Sequence, residues 1–278
     1  LGVKLKETYM DLSILGNKSV QLSAVLSAGN FFYAYHDQLT NNLFVQQETE
    51  NAKHSIANLF EKIKADQDEY GFKVSGARFS ICNGLMVLVP KTIFHEDRLQ
   101  SYLKNFYSPA ILSNSVIKQD PISAVEAVGV YLIPKVWQKH FDKLEPKPLI
   151  RHSLNALIQY SLSQISNPDF VLAMFEDNQI QIVVIKNGQL VLANVYSCEN
   201  GDAFLYFLNL SFELHGLSRA HDPIFIGGEI TEGSELYDLI FRYFRYVHFT
   251  AEDMNYVLHQ EEPIPHMFLN LHTLNLCE

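Results

Sequence analysis

The chain has 278 residues, 47% of them apolar, and a formal net charge of −10, enough for one large packed domain or two smaller ones. Lys and Arg form no run, so the counterion release that drives nucleic-acid binding has no source, and no nucleic-acid partner is expected. No apolar run reaches the ~18 residues of a membrane span, no signal-peptide pattern opens the sequence at Leu1-Gly2, and Cys82, Cys198 and Cys277 lie too far apart for a CxxC pair, so a reducing cytoplasm without membrane contact is the expectation.

Residues 1–18 carry no diagnostic pattern. Gln21 to Ser27 alternates, with Leu22, Ala24 and Leu26 on one face, and Ala28-Gly29-Asn30 is a turn. Phe31 to Tyr35 and Leu43 to Gln47 read as a second and third strand. A helix follows, with Ile56, Leu59, Phe60 and Ile63 at i, i+3, i+4, i+7. Arg78 to Cys82 and Leu85 to Val89 flank Asn83-Gly84, a hairpin signal. Leu99, Tyr102, Leu103 and Phe106 predict the next helix, Ala127 to Ile133 a strand, and Pro134 the entry to a helix with Trp137, Phe141 and Leu144 inward. Glu145-Pro146-Lys147-Pro148 is the linker candidate, because two prolines in three residues disfavour helix and stiffen the chain. It sets the expected boundary between 1–148 and 149–278.

Leu154, Leu157, Ile158 and Ile165 mark a further helix. Three strands follow, over Phe170 to Met174, Ile180 to Ile185 and Gln189 to Tyr196. Asn187-Gly188 joins the last two, and Asn-Gly tolerates the positive φ angles of a type I′ hairpin. Ala203 to Leu214 is apolar nearly all round, which predicts a helix buried on most sides. His215-Gly216 ends it. Pro223 to Glu229 reads as a buried strand entering the Gly227-Gly228 turn. Ser234 is the N-cap of a last helix with the stripe Leu236, Leu239, Ile240, Tyr243 and Val247. Core packing accounts for most of its aromatics, Tyr237, Tyr243, Phe244 and Tyr246, and one left exposed would point to a protein interface.

Each half thus reads βββ-α-β-α-β, with one extra strand in the first. Repetition of this mixed unit predicts an α/β protein of two tandem RNase H-like halves with flanking helices, the plan of the actin, Hsp70 and sugar-kinase superfamily.

A family resemblance rests on short motifs in order: Leu22-Ser23 with Gly29 and Phe32, Leu88-Val89-Pro90, Gln189 to Asn194, and Asp202 with Leu205-Tyr206. The Gly227-Gly228 strand end and the closing Cys277-Glu278 fit as well. Together they resemble a domain-of-unknown-function family from Bacteroidetes, numbered 3822, over most of the chain. The resemblance implies an actin-like ATPase fold and no established activity.

Such ATPases hold phosphate and magnesium with two glycine-containing turns, one per half, each led by an aspartate. The matching first turn is Ser27-Ala28-Gly29-Asn30, with the glycine and without the aspartate. The second is Phe175-Glu176-Asp177-Asn178-Gln179, with acids and no glycine. Hydrolysis is therefore not expected, and no catalytic or metal-binding residue is assigned. Gly227-Gly228 matches the place where the superfamily packs backbone against adenosine, and Glu229 could touch a ligand, though a tight strand-to-helix turn also explains the pair. His36-Asp37 is a surface turn or an acid–base pair. Asp37, Asp120 and Glu126 do not compose a nuclease set.

The expectation is a non-catalytic actin-like-fold protein, a cytoplasmic scaffold or interaction module with no cofactor, binding an unidentified protein partner, with self-association into a homo-oligomer open. The alternative is an ATP-binding protein, with magnesium and weak or no hydrolysis, using Gly29, Gly227, Gly228 and Glu229 in the cleft between the halves.

Overall fold

The computed structural model describes residues 12–27, 31–37, 42–48, 56–176, 178–251 and 265–276. The chain divides into two compact units, and the change falls between Asn155 and Ala156.

The first unit opens with β1 (Ser19–Leu26), β2 (Phe31–Asp37), β3 (Asn42–Glu48), α1 (Ile56–Tyr70) and β4 (Lys73–Ile81). A separate group follows: β5 (Met86–Pro90), α2 (Leu99–Leu103), α3 (Pro109–Ser113), β6 (Ser115–Ile122), β7 (Ala127–Pro134) and α4 (Lys135–Phe141). Then come β8 (Leu149–His152) and α5 (Ser153–Gln164), the helix inside which the units part. The main sheet has the order β3-β2-β1-β4-β8, with β1, β2 and β3 antiparallel and β4 and β8 parallel to β1. β5, β7 and β6 make a second, antiparallel sheet. It has its own core, in which Val89, Val128, Val130 and Leu132 pack with Leu103 of α2.

Asn83-Gly84 is not a hairpin. β4 and β5 lie in different sheets, and neither residue has positive φ. The Asn83 side chain instead accepts from Leu85 N at 2.9 Å and donates to Leu132 O at 3.2 Å. An Asx-type turn answers the same dipeptide signal without a type I′ bend. α2 is shorter than the periodicity predicts, and Phe106 lies beyond it, exposed. The prolines at 146 and 148 mark a bend within the first unit, because β8 directly after them pairs with β4. The expected boundary at 148/149 thus leaves out a strand that this sheet holds by main-chain hydrogen bonds.

A buried polar group joins the second sheet of this unit to β8 and the start of α5. Asp120 on β6 accepts from Arg151 at 2.8 Å and from Asn155 at 3.2 Å. Burial raises its pKa, and the Arg151 guanidinium opposes the rise. The fully buried His152 receives Leu154 N–H on Nδ1 at 3.2 Å, so Nε2 carries the proton and donates to Asn83 O at 3.0 Å. Elsewhere in the main sheet, Tyr33 and Tyr35 of β2 both donate to the Asp66 carboxylate of α1.

The second unit runs β9 (Phe170–Glu176), β10 (Gln179–Lys186), β11 (Gln189–Ser197), α6 (Gly201–Leu214), β12 (Ile224–Gly228), α7 (Glu235–Tyr243), β13 (Val247–Phe249) and α8 (Leu269–Leu276). Its sheet order is β11-β10-β9-β12-β13, again three antiparallel strands extended by two parallel ones. The central β9 is buried along its whole length, which is why it reads as an unbroken apolar run. Asn187 and Gly188 have φ of 51° and 70°, as a type I′ turn needs. Asn200 caps α6 by accepting from Ala203 N at 2.9 Å, and Gly216 ends it at φ 62°.

Two expectations need correction here. α6 buries only one stripe, including Phe204, Leu205, Leu208 and Phe212, and leaves Tyr206 and Leu214 in solvent. A single sheet face covers one side of a helix, whatever the helix composition. α7 stops at Tyr243, and Val247 lies in β13, where it pairs with Ile224. Strand pairing there replaces another helical turn. Among the described residues no helix is long and apolar enough to cross a membrane.

His152 generates a pH dependence. Burial lowers its pKa from 6.5 to about 4. Above pH 6.5 neither folded nor unfolded chain is protonated there. Between 6.5 and 4 the unfolded chain takes the proton first, so stability falls as pH falls, by about 1 kcal/mol per pH unit for this group. Urea denaturation at pH 7 and pH 5 checks this: His152→Gln should flatten part of the decline. Asp66→Ala, which removes the carboxylate that both buried tyrosine hydroxyls donate to, should cost about 2–4 kcal/mol in the same assay.

Candidate functional site

The candidate site lies in the second unit, at the ends of β9 and β12. These strands run parallel, with Gly227 beside Met174 and Gly228 beside Phe175. A Cβ on Gly227 would sit 2.5 Å from Thr250 Oγ1, 2.7 Å from Met174 Sδ and 3.0 Å from His266 O. Gly228 has φ 81°, and a Cβ there would run into the carbonyl oxygen of Phe175. That carbonyl also accepts from Glu229 N at 2.7 Å, and Ile230 N closes back on Gly228 O at 2.8 Å. Both glycines are thus required by close approach of main chain and side chains within the unit. Glu229 is half-buried at the turn.

A polar cluster surrounds them. Glu176, the last residue of β9, is 4% exposed, and its carboxylate accepts from the Asn270 amide of α8. Thr250 N donates to Ile226 O at 2.8 Å. Thr250 Oγ1 and Asn270 Oδ1 are buried without a hydrogen-bond partner among the described residues. His266 Nε2 meets Ile230 O at 2.7 Å, which places the proton on that nitrogen, and burial lowers the imidazole pKa. Its ring stacks on Phe249 with centroids 4.0 Å apart.

The turn after β9 does not by itself provide a cradle for a phosphate-bound magnesium. It has no glycine to bring main-chain N–H groups to a phosphate, and the Glu176 carboxylate is turned inward to an amide. Among the described residues no three His, Cys, Asp or Glu side chains come together as metal ligands.

Of the residues singled out in the sequence, Gly227, Gly228 and Glu229 fall in one turn, while Gly29 lies outside the described residues, as does Asp177 of the second turn. Asp37 pairs with Lys18 at 2.8 Å, Asp120 with Arg151 and Glu126 with Lys91, so the three acids have separate partners. Thr250, His266 and Asn270 escaped sequence reasoning. They are distant in sequence from the glycines and form no motif with them, and only folding brings them together.

The family model for a protein of unknown function, DUF3822, matches residues 10–247. The chain belongs to this family. No curated protein matches. Among solved structures, a Bacteroides thetaiotaomicron protein with an actin-like ATPase fold and unknown function is similar at a TM-score of 0.75 and 16% identity, over 98% of this chain and all of that one. The PilM–PilN type IV pilus biogenesis complex matches at 0.65 and 11% identity, over 92% of this chain and 97% of that one. These likenesses assign this DUF3822 chain an α/β, mixed-sheet, actin-like ATPase fold.

The two kinds of glycine in this unit can be told apart experimentally. Gly233 has φ 76° with open space at its Cβ position, so Gly233→Ala should cost about 1 kcal/mol from backbone conformation alone. Gly228→Ala adds a main-chain clash and should lose at least about 2 kcal/mol more, or fail to fold. Denaturation midpoints of the two variants check the difference.

Proposed function

We propose that this chain is a non-catalytic actin-like-fold protein that serves as a cytoplasmic scaffold or interaction module, built of two RNase H-like halves. The observation that carries the reading is the placement of Glu176. A carboxylate at the end of the central strand is where a metal- or water-orienting acid would be useful, and here it is buried against Asn270. The filled space beside Gly227 and Gly228 supports the same view. So does the likeness to PilM–PilN, a protein–protein complex, as analogy at the level of fold. The proposed partner is another protein, or a second copy of the chain, and neither a nucleic acid nor a membrane.

The second reading is ATP binding with magnesium and little or no hydrolysis, through Gly29, Gly227, Gly228 and Glu229. It is favoured by the unpartnered Thr250 Oγ1 and Asn270 Oδ1 beside the glycine turn. Thermal unfolding of the full chain with and without Mg-ATP, followed by calorimetric titration, decides between them. A ligand at ~100 times its Kd adds about 2.7 kcal/mol, which for this size raises Tm by roughly 2–4 °C. The scaffold reading expects no shift at millimolar ATP. A saturable shift would overturn it. Gly228→Val is unsuited as a control, because its clash with the Phe175 carbonyl destabilises the unit whether or not nucleotide binds.

A further inference from the structure

After Gly216 the chain turns through a loop closed on itself. Asp222 accepts from Ser218 N at 2.6 Å, and its own N–H returns to Ser218 O at 2.8 Å. Opposite this loop α7 ends at Tyr243, and the next residue, Phe244, is extended and buries its ring against Phe212, with centroids 4.8 Å apart. Arg245 N donates to Arg219 O at 3.0 Å and fastens the two segments together. Between them lies a shallow groove of about 670 Å³, with Leu217 at its base and Arg219, Phe241, Arg242, Tyr243 and Arg245 around it.

Two properties set this groove apart. Its aromatic side chains are open to solvent: Phe241 is 57% exposed, Tyr243 49% and the adjoining Tyr246 42%. Its three arginines form no ion pair with any carboxylate among the described residues, in a chain where 31 acids outnumber 21 bases. Arg219 gives one N–H to Asn209 Oδ1 at 2.8 Å, and Arg245 lies over the Tyr246 ring at 5.7 Å. Asp238, one turn before Arg242, makes no ion pair with it. The closed loop and the Arg245–Arg219 main-chain bond hold the backbone beneath these forks, which lowers the ordering cost of binding.

We propose that this groove docks an acidic segment of a partner protein, with aspartate or glutamate carboxylates on the guanidinium forks and an apolar side chain against Leu217 and Phe241. A guanidinium presents paired N–H donors that match a carboxylate, and arginine and tyrosine are the side chains that most often anchor protein interfaces. Charge complementarity favours a short acidic segment over nucleic acid. Three arginines fall short of the roughly 6–10 phosphate contacts of a strongly salt-dependent nucleic-acid site, and the rest of this chain would repel a long polyanion. The proposal rests on the interaction-module reading and names the chemistry of its partner. The ATP titration tests that reading by itself, whereas the following experiment tests only the groove.

The probe is a short fluorescein-labelled peptide of glutamate with interspersed leucine and phenylalanine, titrated with the full chain and followed by anisotropy. Wild type should bind, more weakly as salt rises. Replacing Arg219, Arg242 and Arg245 together by Ala should weaken binding roughly tenfold or more, with Tm unchanged because all three side chains are exposed. Lys104→Ala with Lys139→Ala, which remove exposed charge elsewhere, should leave binding as it is. Arg242→Lys with Arg245→Lys, which keep the charge and lose the forks, should fall between. No binding by wild type, or equal binding by the triple variant, would overturn the proposal. So would an oligonucleotide of the same charge that binds with the same dependence on these arginines. Self-association in sedimentation that the triple variant abolishes would assign the groove to a second copy of the chain, and would also overturn it.

Discussion

At the end of the ladder between β9 and β12, the two main chains meet with no side chain from β12 between them. Gly228 approaches the Phe175 carbonyl so closely that only hydrogen fits at the Cα position. The same carbonyl then takes Glu229 N–H, which turns the chain so that Ile230 O meets the His266 ring. His266 in turn stacks on Phe249 of β13 and brings its own carbonyl against Gly227. One close approach therefore sets the position of a strand end, a turn and the segment leading into α8. A glycine pair with this task does not need a nucleotide to explain it.

The interior carboxylates follow one pattern. Asp120 meets a guanidinium and an amide, Asp66 two phenolic hydroxyls, and Glu176 an amide. Burying an ionised acid without such partners is costly, so these side chains are committed to holding elements together. The surface behaves differently. In a strongly acidic protein, Arg219, Arg242 and Arg245 pair with no carboxylate among the described residues and lie beside exposed rings.

Local features were legible wherever the signal and the structure it produces sit within a few residues. The Asn187-Gly188 hairpin, the Gly216 helix end and the Ser234 cap are of this kind, since their geometry is made by neighbouring backbone groups. Signals that need a distant partner misled. Asn83-Gly84 has the same dipeptide as the true hairpin, but its flanking strands pair with different neighbours. Val247 continues a helical stripe and yet joins a strand, because Ile224 offers it a ladder. Leu149–His152 is too short and too mixed to announce itself, and becomes a strand beside β4.

By itself the sequence determined the α/β class, the order of most elements and the family, because these depend on residue types, short-range periodicity and turn chemistry. Only the tertiary structure decided that Glu176 faces Asn270, that protein atoms fill the space beside the glycine pair, that a three-stranded sheet stands apart between β4 and β8, and that three arginines share one groove with open aromatics. Each of these depends on which residues, far apart along the chain, are brought within a few ångströms. That follows from strand register and helix packing over the whole unit, and no local pattern encodes it.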